Sequence, residues 1–292
     1  MNDRTVKAIV LAAGQGKRMK SAVPKQYLLL GGHEVLYYSL KVFEESLVDE
    51  VVLVTGADEI SWCREHIVEK YGFSKVKKII AGGTERYDSV YAGLLAAAPC
   101  DYVLIHDGAR PFITKEMIQK VLRGAVDYGS CTTGMPVKDT IKITNEKDMA
   151  EDTPDRKKLW AVQTPQGFFY PVILKAHKKF REGKVEVAVT DDTMLAEIFL
   201  NKQTKMVNGS YRNIKVTTPE DMKIARAFTK DHRDQEKNRQ GRRYPNGLNY
   251  IWERRERQNG RQLKRKNRNG FLRLQRNRQR EVKSRPANGG TI

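Results

Sequence analysis

Chemistry is most legible in the segment Leu11-Ala12-Ala13-Gly14-Gln15-Gly16-Lys17-Arg18-Met19 and in Pro24-Lys25-Gln26, which follows shortly after. Gly14 and Gly16 carry no Cβ, so the loop's backbone amides can approach phosphate oxygens closely. Lys17, Arg18 and Lys25 place three cations around that loop. The spacing is neither the Walker pattern nor the dinucleotide fingerprint. A bare glycine turn with solvated lysines would also contain Gly14-Gln15-Gly16, so the signal lies in the whole segment. A second candidate is Asp107, which follows a strand-like run beside His106. A carboxylate at the carboxyl edge of an open α/β sheet suits Mg²⁺, an ion that takes most of its remaining ligands from phosphates and water. A turn-forming aspartate is the alternative. His106 reads as structural, and no Ser/His/Asp constellation is evident. Phosphoryl-type transfer needs little beyond positioning and charge neutralisation, which these residue types supply.

The elements that must hold these residues follow from periodicity. Short aliphatic runs at 7–13, 50–55, 77–81 and 102–106 are bounded by turn residues and read as buried strands. Helical patterns lie between and after them, at 35–45, 60–71, 87–98 and 115–128, with Thr114 as N-cap of the last. The regularity breaks after Ser130: 135–144 alternates as a strand does, and 145–158 is crowded with charge around Pro154. Beyond it come an extended stretch at 159–169, helices at 172–181 and 192–200, and short strands at 205–207 and 214–216. Thr218-Pro219-Glu220-Asp221 is a helix start, and that helix is expected to end near 230. The βαβαβαβ order predicts an α/β, Rossmann-like, doubly wound and mostly parallel sheet. The segment at about 138–165 departs from it as either a loop or an arm.

Composition divides the chain in two. The net charge is +19, and residues 230–292 hold 20 basic against 6 acidic residues. A body of 1–229 is long enough for one buried core. The basic tail, 230–292, has too few apolar residues to offset its ordering entropy and is expected to be disordered. Its arginines interleave with Tyr244, Tyr250, Trp252 and Phe271, a composition open to non-specific nucleic-acid contact. An unselected or frame-shifted extension would look similar. The longest apolar run, 8–13, is far short of a membrane span. Cys63, Cys100 and Cys131 are odd in number and form no CxxC pair, which points to a reducing, cytoplasmic setting.

The segment 11–19 with Pro24-Lys25-Gln26 resembles the signature of the sugar-phosphate nucleotidyltransferases, and within them the 2-C-methyl-D-erythritol 4-phosphate cytidylyltransferase family. Further motifs in the expected order carry the likeness: Gly82-Gly83-Thr84-Glu85-Arg86-Tyr87-Asp88-Ser89, His106-Asp107-Gly108-Ala109-Arg110-Pro111, Pro136-Val137-Lys138-Asp139-Thr140, Trp160-Ala161-Val162-Gln163-Thr164-Pro165-Gln166 and Asn213-Ile214-Lys215-Val216-Thr217. The likeness covers about 5–229.

It implies Mg²⁺-dependent transfer of CMP from CTP to a polyol phosphate, with the acceptor phosphate attacking the α-phosphorus in line. By that resemblance, Arg18 and Lys25 stabilise the pentacoordinate phosphorus and the leaving pyrophosphate, while Arg156 and Lys215 hold the acceptor phosphate. The nucleotide would meet Ala12, Ala13, Gly14, Gly16, Gly83, Thr84, Ser89, Asp107 and Gly108, with Asp107 at the metal. Arg110, Thr140, Thr164 and Thr190 would line the acceptor site. Thr190 with Asp191 and Asp192 could equally cap a helix. The arm would be exchanged in a homodimer, carrying Thr140 and Arg156 to the other subunit. Ribitol 5-phosphate is the rival acceptor. A nucleic-acid-binding protein working through its tail is the rival of another class.

Overall fold

The computed structural model describes residues 4–239 except 15, 20, 22 and 184–187, with backbone alone for 17 and 230–239. Strand β1 (Val6–Leu11) leads through two 3-10 turns, Lys17–Met19 and Lys25–Tyr27, to a small ribbon of β2 (Leu29–Leu30) and β3 (His33–Glu34). Next come α1 (Val35–Glu44), β4 (Glu50–Thr55) and α2 (Ile60–Cys63), continued by a π-helical turn over Arg64–Glu69. Strand β5 (Val76–Ala81), α3 (Arg86–Ala97), β6 (Tyr102–Asp107) and α4 (Lys115–Tyr128) complete the first half. The second half holds β7 (Ser130–Pro136), a ribbon of β8 (Ile143–Thr144) and β9 (Ala150–Asp152), and β10 (Trp160–Phe169). It ends with α5 (Tyr170–Arg181), α6 (Asp192–Leu200), β11 (Lys205–Asn208) and α7 (Pro219–Arg239).

Seven strands form one sheet in the order β11-β7-β10-β6-β1-β4-β5. All its pairings are parallel except those of β10, which runs antiparallel to both β6 and β7. The expected α/β class is therefore observed. From β1 the chain proceeds outward to β4 and β5, then crosses back to β6 on the other side of β1. That reversal makes the gap between the carboxyl ends of β1 and β6 the topological switch point, where such sheets take ligands. Register places Leu11 opposite Asp107 there.

Side chains alternate between the two faces of a strand, so neighbouring residues report different faces. Ile9, Val52, Val54, Val103, Ile105 and Phe168 pack with Val90 and Leu94 of α3, Ile173 of α5 and Leu195 of α6. The opposite face takes α1, whose Phe43 ring meets His106 edge-on. It also takes α4, whose Val121 lies where a Cβ on Gly167 would collide. Caps end the helices as the chemistry of their terminal residues requires. The Thr114 hydroxyl accepts from the Met117 amide, and Gly129 closes α4 at φ +83°. The Asp221 carboxylate accepts from the Thr217 and Thr218 amides at the start of α7.

Three expectations are corrected. The strand expected at 135–144 begins earlier, at Ser130, and ends at Pro136. Its buried residues are small or polar, and their hydroxyls are hydrogen-bonded: Thr132 Oγ1 donates to the Gln163 carbonyl at 3.1 Å. Residues 214–216 form no strand. The Ile214 amide donates to the Arg212 carbonyl, and the Val216 amide ties the segment to the Ala109 carbonyl, both at 2.8 Å. The last helix runs on to Arg239 rather than stopping near 230. Of the tail expected to be disordered, 230–239 thus continues α7, and the readings of 240–292 fall outside the described residues.

Candidate active site

Apolar packing brings the two cationic segments together. Met19 and Val216 share one buried cluster with Leu30, Val35, Phe112, Met222 and Ala225. The neighbours of these two anchors, Arg18 and Lys215, are thereby held at the mouth of the switch point. Gly16 adopts φ +63°, and its amide plane turns the loop so that the Met19 N–H reaches the Gly16 carbonyl at 2.8 Å. A Cβ on Gly16 would stand 3.3 Å from Lys25 Cγ, so the bare backbone leaves that lysine its place. Gln26, buried beside it, donates its side-chain amide to the Ala12 carbonyl and ties the Lys25 turn to the end of β1.

Two cavities meet at this edge. The first is lined by Ala12, Ala13, Gly14, Lys25, Gly83, Thr84 and Ser89. The second is lined by Arg110, Gln163, Thr164, Thr190, Asp191 and Met194. Asp107, Arg86 and Lys215 belong to both and form the wall between them.

Asp107 is the electrostatic centre. Its Oδ2 lies 2.8 Å from Lys215 Nζ, and its Oδ1 lies 3.3 Å from Arg86 Nε. Arg110 Nε stands at 3.9 Å. Burial pushes the Asp107 carboxyl up, but Arg86, Lys215 and Arg110 outweigh it and hold the group well below the usual carboxylate range. Lys25 shows the converse. Burial lowers its ammonium to about 8, and Lys215 and Arg18 add to the fall while Asp107 opposes it. A pocket built this way presents cations to an incoming anion.

Behind Asp107 runs a chain of hydrogen bonds that fixes a tautomer. The Asp107 amide donates to Thr164 Oγ1 at 3.1 Å, and that hydroxyl lies 2.9 Å from His106 Nδ1. His106 Nε2 faces the Arg110 carbonyl at 3.2 Å, which can only accept. Nε2 therefore carries the proton, and Nδ1 accepts from Thr164. Burial lowers the imidazole to about 4, so it is neutral near pH 7. His106 is structural, as expected. Replacing Thr164 by Val orphans the Asp107 amide and His106 Nδ1 together, and a loss of about 1–3 kcal/mol in denaturant unfolding is expected.

The remaining sequence candidates divide. Ser89 lines the first cavity, but its hydroxyl accepts from the Gly83 amide at 3.1 Å and donates to the Glu85 carbonyl at 3.3 Å. It shapes the loop rather than facing solvent. Gly108 stands outside both cavities: its amide donates to the Leu11 carbonyl at 2.8 Å, and a Cβ there would meet Leu36 at 2.8 Å. Asp191 accepts from the Met194 amide and from Thr193 Oγ1 as the cap of α6, while Thr190 lies exposed on the second cavity. Arg110 donates from Nη1 to the Asn213 carbonyl at 2.8 Å. Thr140 and Arg156 lie exposed on the 137–159 excursion, where Arg156 donates to the Lys138 carbonyl. One chain does not bring them into either cavity.

Sequence reasoning gave no role to Arg86, although it quoted the motif that contains it. Arg86 bridges Asp107 and the buried Asp192, whose Oδ2 lies 2.8 Å from Arg86 Nη2. Only the fold brings these partners into contact, so no spacing rule signals them.

Among the described residues no group of three or more His, Cys, Asp or Glu could hold a metal. Asp107 alone offers anionic oxygen between the cavities. That donor set fits a magnesium ion ligated mainly by phosphates and water, and it fits no protein-caged metal.

A model of the 2-C-methyl-D-erythritol 4-phosphate cytidylyltransferase family matches residues 6–231. The protein of that name from Lachnoclostridium phytofermentans is 46% identical over 229 residues, covering 78% of this chain and 98% of that protein. Its counterpart from Lachnospira eligens is 50% identical over 224 residues, covering 76% and 98%. Among solved structures, the 4-diphosphocytidyl-2C-methyl-D-erythritol synthase of Anaerococcus prevotii is similar at TM-score 0.69 and 34% identity, covering 78% of this chain and 96% of that one. The match takes in β1, both cation-bearing segments and the whole sheet, so this chain belongs to the 2-C-methyl-D-erythritol 4-phosphate cytidylyltransferase family.

Proposed function

We infer that the chain transfers CMP from CTP to 2-C-methyl-D-erythritol 4-phosphate and releases pyrophosphate, a step of non-mevalonate isoprenoid precursor synthesis. The observation that carries this reading is a pair of adjoining cavities sharing one wall of Asp107, Arg86 and Lys215. The first cavity takes CTP, where small residues at Ala12, Ala13, Gly14 and Gly83 leave backbone groups to read the pyrimidine edge and little room for a purine. Arg18 and Lys25 meet the triphosphate and neutralise the charge that grows on the leaving pyrophosphate. The second cavity takes the polyol phosphate beside Arg110 and Thr190. Lys215 reaches the shared wall and orients the acceptor oxygen for attack on the α-phosphorus. No protein nucleophile is needed, because the acceptor phosphate is already anionic.

Asp107 would hold Mg²⁺, which when bound neutralises phosphate charge. The working unit is a homodimer. The excursion at 137–159 projects Ile141, Ile143 and Met149 into solvent, Met149 with 65% of its surface exposed. Exchange of that arm buries this apolar surface and delivers the partner's Thr140 and Arg156 to the acceptor cavity. No described helix is long and apolar enough to cross a membrane, and the unpaired Cys63, Cys100 and Cys131 fit a cytoplasmic setting.

The test is pyrophosphate release from CTP and Mg²⁺ with each polyol phosphate offered separately. Release with 2-C-methyl-D-erythritol 4-phosphate and none with ribitol 5-phosphate is expected. The reverse would move the protein to another acceptor.

A pH profile follows from Lys25. Its charged form predominates below about 8, so kcat/KM should fall tenfold per pH unit above that value. Lys25→Arg keeps its charge throughout and should lose this alkaline limb.

A further inference from the structure

We propose that Asp192 and Arg86 form a positioning pair for the transfer: the buried carboxylate of Asp192 locks Arg86 in place, and Arg86 keeps the Asp107 carboxylate oriented while Lys215 leaves it to engage phosphate. The proposal rests on the functional reading above and adds two residues to it.

Asp107 divides its two oxygens between unlike cations. Lys215 Nζ holds Oδ2 at 2.8 Å, and Arg86 Nε holds Oδ1 at 3.3 Å. The Lys215 side chain is 36% exposed and ends in a single ammonium on a flexible stem. It can swing to a phosphate oxygen that enters either cavity. Without Arg86, only the more distant Arg110, 3.9 Å from Oδ2, would then hold the buried Asp107 carboxylate in place.

Arg86 is built not to follow. Its Nε donates to Asp107 Oδ1, and its Nη2 forms an ion pair with Asp192 Oδ2 at 2.8 Å. Asp192 has no exposed surface. Its backbone amide donates to Gln166 Oε1 at 3.0 Å. The next charged or titratable group facing the Asp192 carboxylate is His177, with Nε2 at 3.8 Å from Oδ1. A buried carboxylate stripped of its cation is strongly disfavoured, so phosphates in the cavities cannot draw Arg86 away as they draw Lys215. Asp192 thus turns a phosphate-seeking arginine into a fixed strut. The geometry also explains why the position needs an arginine: a lysine offers one ammonium and cannot reach both carboxylates in two directions.

Steady-state kinetics on full-length variants tests this, with turnover normalised to folded protein. Asp192→Asn should lower kcat at least tenfold and leave KM for CTP and for 2-C-methyl-D-erythritol 4-phosphate within about threefold. Arg86→Lys should not rescue Arg86→Gln. Because Arg86→Gln strands a buried carboxylate and is at risk of misfolding, the double variant Arg86→Gln/Asp192→Asn supplies a neutral pair. Its kcat should equal that of Arg86→Gln or exceed it, since Asp192 acts only through Arg86. Wild-type turnover per folded molecule in Asp192→Asn would overturn the proposal alone. So would a double variant whose loss is the product of the single losses. Absence of any transfer by the unaltered protein would overturn the functional reading, and this proposal with it.

Discussion

Lys25→Ala lowers kcat by about two to three orders of magnitude, the loss seen when one preorganised group facing developing oxyanion charge is removed. The fold survives the change. Lys25 is the one lysine of the site that burial brings down to about 8, with Lys215 and Arg18 adding to the fall. A cation held at that cost destabilises the empty protein and is relieved only when phosphate arrives. Replacement by alanine therefore removes a strained charge, and the thermal midpoint should stay level or rise. The effect should appear in kcat rather than in KM for CTP, because the charge on the departing pyrophosphate grows as the bond breaks. Stopped-flow turnover together with a melting curve checks both halves. A drop in activity that tracks a drop in melting point would show Lys25 to be a packing residue.

Asp107→Asn should be the most damaging single change for stability. The carboxylate faces Arg86, Lys215 and Arg110, and its loss leaves these cations crowded at a buried edge. Breaking a buried pair in this way costs about 3–5 kcal/mol, which urea unfolding at pH 7 would read directly. The pH dependence has a definite sign. The folded Asp107 carboxyl is held below its usual range, so its contribution is complete above the unfolded carboxylate pKa of about 3.9 and fades as pH falls further. The gap between wild type and variant should thus begin to narrow below about pH 4 and close only below the far lower folded-state pKa. Asp107 also supports the charge on Lys25, so whatever activity survives should lose its alkaline limb at a pH lower than wild type.

How much of this was legible in the sequence depends on whether a residue's role is local. Strands β1, β4 and β6 were readable because they are buried on both faces and their aliphatic runs stop at turn residues, whereas the edge strand β5 is only partly buried and showed itself by its aliphatic run alone. Thr114, Asp191 and Thr218 announced their helices because capping involves residues only three or four apart. Strand β7 was misplaced because its core positions are Ser130, Thr132 and Thr133, fully buried yet polar. A periodicity argument counts such residues as surface, whereas the fold satisfies Thr132 and Thr133 with carbonyls of β10 and pairs Ser130 with the Thr204 hydroxyl. The 214–216 segment looks apolar enough for a strand, but it pairs with none: the Val216 amide bonds to the Ala109 carbonyl, and Lys215 reaches Asp107 from there.

The site follows the same division. Gly14 in a loop, Lys25 at the start of a 3-10 turn and Asp107 at the end of β6 are residue types that suggest phosphate chemistry, and the fold gathers them at one edge. Arg86 and Asp192 gave no signal because their meaning arises from contacts between α3, β6 and α6. The resemblance to known enzymes named Arg156 and Thr140, and a single chain leaves both on the arm.

The central claim is that donor and acceptor lie in adjoining cavities and react directly across the wall formed by Asp107, Arg86 and Lys215. The stereochemical course at the α-phosphorus tests it most directly. With CTP made chiral at that phosphorus by sulfur substitution, one in-line displacement predicts inversion in the nucleotide-linked product. Retention would mean two displacements through a covalent nucleotidyl-protein intermediate, and would contradict the account.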